Sequence, residues 1–75
     1  MDLPAETIKT TIRDYLKQMR ERLDQAISIA KAAEACADAG QIEKGIEVAL
    51  DVEQLVYEVN TFLNAARMIN RLGKT

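Results

Sequence analysis

Few side chains in this sequence could do chemistry, and their spacing says what that chemistry would be. Glu43, Glu47 and Asp51 recur every four residues, which on a helix stacks three carboxylates on one face. Carboxylates so placed in the core of a helical bundle can hold metal ions. Here they fall opposite much of the apolar face of their own segment, so a solvated surface is expected and no cofactor is implied. The chain has no histidine, which removes the commonest zinc ligand and the usual general base. Its one cysteine, Cys36, allows no internal disulfide. Cys36 lies in an alanine run with no basic residue beside it to activate the thiol, and reads as a small apolar residue near an interface. Without a glycine-rich phosphate loop or a nucleophile paired with a base, the chain is expected not to be an enzyme.

The cations form the other candidate group. Lys9, Arg13, Lys17 and Arg20 follow at steps of four, four and three, one stripe on a helix, and Arg67, Arg71 and Lys74 gather near the other terminus. Such a row can contact phosphates, and antiparallel helical-hairpin dimers of the Rop type bind RNA along a helix face. The chain as a whole carries −2, no aromatics are interleaved with these bases, and Glu6, Asp14, Glu21 and Asp24 lie on adjoining turns. A partner subunit's acids could equally neutralise the patch.

The elements that must position these groups follow from the apolar pattern. A hydrophobic fraction of 48% beside 29% charged residues, with three glycines and one proline, excludes a disordered chain and fits a helical one. Ile12, Leu16, Met19, Leu23, Ala26, Ala30, Ala33 and Ala37 alternate steps of four and three, predicting a helix from about Pro4 to Ala39 with Asp2 as its cap. Thr7, Thr10 and Thr11 weaken its first turns. Gly40 ends it, and a second helix runs from about Ile42 to Leu72 with Gly73 as its stop. That helix carries two overlapping seams: Ala49, Val52, Val56, Val59, Leu63, Ala66, and Val52, Leu55, Val59, Phe62, Ala66, Ile69. The apolar face is wider than one neighbouring helix covers.

Two long helices joined by a tight turn lie antiparallel, so residues 1–75 are expected to be one all-α helical-hairpin domain. So short a chain buries little surface alone, and a second copy completing a four-helix bundle is the expected remedy. Leu16, Met19, Leu23, Leu55, Val59, Phe62 and Ile69 are the candidate interface; Tyr15 borders the stripe and Tyr57 is the aromatic most open to a partner. Residues 34–58 hold seven acids and one base, whereas 59–75 hold only bases, which favours a dimer with its turns at opposite ends.

The stretch "AISIAKAAEACADAGQIEKGIEVAL" resembles one tetratricopeptide-type hairpin, with small residues where the helices cross and a glycine in the turn; Ile29 stands where that family favours tryptophan. The resemblance implies local geometry and no function. It matches the reading of Gly45, inside the second helix, as a close-approach site facing Ala33 and Ala37. No apolar stretch reaches the roughly 18 residues of a membrane span, and "MDLPAETIK" lacks a basic start before an apolar run, so a cytoplasmic protein is expected. The expected function is a non-enzymatic protein–protein interaction module, an adaptor, regulator or assembly subunit acting as a homodimer. The alternatives are a heteromeric co-chaperone of the kind found in secretion systems, and a Rop-like nucleic-acid binder using Lys9, Arg13, Lys17, Arg20, Arg67 and Arg71.

Overall fold

A computed structural model describes residues 4–74, which are all-helical: α1 (Ala5–Asp38), α2 (Ile42–Ala49) and α3 (Val52–Gly73). Asp2, the expected cap, lies outside the described residues. Pro4 precedes α1 in an extended conformation, and its carbonyl accepts the Ile8 N–H at 3.1 Å.

The turn is closed by backbone alone. Gly40 takes φ +84°, the left-handed conformation that a Cβ would oppose. Its N–H bonds to the Ala37 carbonyl and the Gln41 N–H to the Cys36 carbonyl, both at 2.9 Å. This is a complete Schellman motif, and it satisfies carbonyls that the helix end would leave orphaned. The chain reverses here, and α2 and α3 return along α1 as the second leg of a hairpin.

The second leg differs from the single helix expected over about 42–72. At Leu50 and Asp51 the backbone stays right-handed, but Asp51 N–H bonds to the Val48 carbonyl (3.2 Å) and Glu53 N–H to the Leu50 carbonyl (3.1 Å). These three-residue steps are a local 3₁₀ tightening. No glycine or proline marks it, and the apolar periodicity runs through it.

The two legs meet along one continuous seam. On α1 its half-buried or buried members are Ile8, Ile12, Tyr15, Met19, Arg22, Ala26, Ile29, Ala33 and Cys36. On the second leg they are Gly45, Val48, Val52, Leu55, Val59, Phe62, Ala66 and Ile69. Both sets alternate steps of three and four, the a and d positions of a heptad. Ile12, Met19, Ala26 and Ala33 are a on α1; Gly45, Val52, Val59 and Ala66 are a on the return leg.

Two glycines mark close approaches between the legs. A Cβ on Gly45 would stand 2.9 Å from the Ala33 carbonyl oxygen and 3.7 Å from Ala37 Cβ; one on Gly73 would stand 3.1 Å from Ile8 Cδ1. Between them the bulkier residues fill the seam. Tyr15 and Phe62 pack with ring centroids 5.8 Å apart, and the Arg22 guanidinium lies 5.0 Å from the Phe62 centroid. Arg22 bridges to Glu58 at 3.8 Å across the seam and donates to the Gln18 side-chain oxygen along its own helix. A charged residue can hold a core-line position this way because its stem is apolar while its head stays at the edge.

The result is a rod with Cα extents of 57 × 14 × 12 Å. Its radius of gyration is 17.2 Å, where a compact chain of this length would have about 11 Å. Ala33, Gly45 and Ala66 are the buried residues among those described, and no large side chain is buried.

Candidate functional site

With the seam located, most of the exposed large apolar residues fall on one side of the rod; Leu50, Met68 and Leu72 lie elsewhere. The residue after each d position, position e, flanks the seam. Antiparallel legs are related by a local twofold normal to the hairpin plane, so the e positions of both legs share one side of the rod. On α1 these are Lys9, Leu16, Leu23, Ala30 and Ala37; on the return leg they are Ile42, Ala49, Val56, Leu63 and Asn70. The contacts of Ala33 and Ala37 with Gly45, Arg22 with Glu58, and Tyr15 with Phe62 set the vertical alignment. Carried along by heptads, they place Leu16 beside Leu63, Leu23 beside Val56 and Ala30 beside Ala49. Ile27 and Ile46, at position b, widen the same face.

This face is open. Leu16, Leu23, Ile27, Ile42, Ile46, Val56 and Leu63 are each between 38% and 56% exposed. This is a contiguous run of exposed apolar side chains rather than a scatter of single ones.

The structure thus divides the expected interface residues into two groups. Leu16 and Leu23 belong to the exposed face, while Met19, Leu55, Val59, Phe62 and Ile69 sit half-buried in the seam within the hairpin. Ala33, Ala37 and Gly45 lie together at the crossing next to the turn. Tyr57 is 68% exposed and lies outside the seam. Cys36 is half-buried at a d position near the turn.

The cations flank the apolar face at its open end. Arg13 and Arg20 occupy b positions along the α1 border, and Arg67 does so along the α3 border, level with Arg13. Lys9 pairs with Glu6 at 3.9 Å and Arg20 with Asp24 at 3.0 Å, both on exposed turns. Arg13, Lys17, Arg67 and Arg71 form no ion pair among the described residues. Glu43, Glu47 and Asp51 are exposed, Glu47 lying 3.8 Å from Lys44, and the described residues contain no group of three or more side chains able to hold a metal ion.

A shallow groove of about 600 Å³ opens on the side opposite the apolar face; Gln25, Ser28, Ile29, Leu50, Gln54 and Leu55 line it with Asp51. Sequence reasoning missed it, and the tightening at Leu50 and Asp51, two of its lining residues, carries no residue signal. Among the described residues no helix is long and apolar enough to cross a membrane. No protein-family model, curated protein or solved structure matches the chain significantly.

Proposed function

We propose that this chain is a small non-enzymatic protein–protein interaction module, an adaptor, regulator or assembly subunit, that works as a homodimer of hairpins packed into a four-helix bundle. The observation supporting this most strongly is the contrast between a long apolar face and an interior that, among the described residues, buries only two alanines and a glycine. The hairpin exposes 5809 Å², whereas a compact protein of its mass would expose roughly 4,600 Å². Part of that excess belongs to the rod shape. Its size, about 1,200 Å², is nonetheless what one partner of a stable interface can cover, since about 800 Å² per side is standard. A cytoplasmic setting, which keeps Cys36 a thiol, fits this reading.

Size-exclusion chromatography with light scattering tests it. At tens of micromolar the expected mass is twice that of the chain, and Leu23→Lys is expected to give the single-chain mass. A wild-type monomer throughout that range overturns the reading. A lone chain that aggregates, and dissolves only with a second helical protein, would replace it with the heteromeric co-chaperone.

The four unpaired cations at the open end favour one second reading, a Rop-like nucleic-acid binder. It requires RNA or DNA affinity that falls steeply with salt and drops on Arg13→Ala or Arg67→Ala. Salt-independent binding, or none, removes it.

A further inference from the structure

We infer that the second copy sits on the exposed apolar face in one register: turns at opposite ends, α1 over the partner's α1, return leg over the partner's return leg, with the twofold axis at the Leu23–Val56 layer. This rests on the homodimer proposed above and specifies its geometry.

The face has an uneven profile along its length. Leucine stands beside leucine at the Leu16–Leu63 layer, medium side chains pair at Leu23–Val56, and alanine stands beside alanine at Ala30–Ala49. One heptad separates each layer from the next. A twofold axis through the middle layer brings Leu16 over the partner's Ala30 and Leu63 over the partner's Ala49. Large residues then meet small ones at the two flanking layers, while Leu23 meets its own copy and Val56 its own copy at the axis, so the two helix pairs keep a more even spacing.

The alternative places both turns at one end and lays α1 over the partner's return leg. Leu16 would then meet the partner's Leu63 while Ala30 met the partner's Ala49, forcing the legs apart at one layer and leaving a void two heptads away. Charge separates the arrangements in the same direction. With opposite ends, Arg13 lies beside the partner's Glu34, both being exposed and free of ion pairs within the hairpin. With turns at one end, Arg13 lies beside the partner's Arg67. The acids around the turn would also face their own copies, the like-charge contact that interfaces avoid.

Disulfide trapping tests the register in a Cys36→Ala chain whose oligomeric state is first fixed by light scattering. Leu23→Cys alone is expected to give a covalent dimer on mild oxidation, because the twofold axis brings the two thiols together. Leu16→Cys combined with Ala30→Cys is expected to do the same, and each of those two alone is not. Within one chain that pair is two heptads apart, about 21 Å along the helix, so any bond it forms joins two chains. A dimer by light scattering in which Leu23→Cys or the double variant fails to cross-link overturns the register and leaves the homodimer standing. A Cys36→Ala monomer overturns both.

Arg13→Glu gives an independent sign. In the opposite-end register it sets two carboxylates together at two symmetric places and raises the dimer dissociation constant roughly tenfold, and adding Glu34→Arg restores it. Tighter association on Arg13→Glu alone would overturn the proposal, since that is what relief of the Arg67 contact would produce.

Discussion

Gly45→Ala is a sharp test of how the hairpin is held together, because two physical effects oppose each other there. In an exposed helix the exchange stabilises by about 1 kcal/mol, through the lower conformational entropy of alanine in the unfolded chain. At Gly45 the new Cβ would stand 2.9 Å from a backbone oxygen, Ala33 O, with the Ala37 nitrogen at 3.5 Å. A backbone atom cannot rotate away as a side chain would, so the legs must separate by several tenths of an ångström over the Ala33–Cys36–Ala37 crossing. Overpacking of this kind costs about 1–3 kcal/mol. Subtracting the helix gain leaves a net loss of about 1 kcal/mol per chain, which for a domain of this size is a fall of roughly 4–8 °C in melting temperature. Far-ultraviolet circular dichroism on heating and in urea, at one fixed chain concentration because association contributes to stability, measures it. Gly45→Leu is expected to fall much further by wedging the turn end open. A Gly45→Ala chain more stable than wild type by the full helix-propensity gain would refute the close-approach argument, as would an unchanged melting temperature for Gly45→Leu.

Three further substitutions separate neighbouring effects. Gly40→Ala meets no atom within 4 Å, yet it must adopt φ +84°, so a loss of about 1–2 kcal/mol is expected from backbone strain alone, read by the same denaturation. Gly73→Ala meets Ile8 Cδ1 at 3.1 Å and Cγ2 at 3.2 Å, side-chain rather than backbone atoms at the open end of the hairpin, so its stability should stay within about 0.5 kcal/mol of wild type. Arg22→Ala removes a stem and guanidinium packed on Phe62 together with the bridge to Glu58; a loss of about 1 kcal/mol is expected, largely persisting at high salt if packing rather than charge carries it.

Much of the architecture was legible from residue spacing. The four-three repeats on both sides of Gly40 announce two helices, and a glycine between them announces a reversal, because few residues tolerate the left-handed conformation that a helix end needs. The tightening at Leu50 and Asp51 was not legible. It changes hydrogen-bond partners by one residue while keeping right-handed dihedrals, and no residue type there demands it. The exposed face was half legible. Leu16 and Leu23 stood among the expected interface residues, but Met19, Leu55, Val59, Phe62 and Ile69 were grouped with them, since periodicity shows that a residue is apolar and on a face without showing which neighbour it meets.

By itself, the sequence determined that there would be two amphipathic legs, an acidic turn end, a basic open end and more apolar surface than one hairpin covers. Only the tertiary structure decided which stripe closes the hairpin. On α1 the a positions Ile12, Met19, Ala26 and Ala33 belong equally to a stripe with Leu16, Leu23, Ala30 and Ala37 and to one with Tyr15, Arg22, Ile29 and Cys36. The structure uses the second within the hairpin. Tyr15 and Arg22 can pack on Phe62 while their polar ends remain at the edge, and Leu16, Leu23 and Ala30 of the first stripe are left outward. A charged residue on the inner line and leucines on the outer one is an arrangement that ranking by hydrophobicity would reverse. It follows from the pairing of two particular helices, since the rotation of each about its axis is set by the side chains of the other.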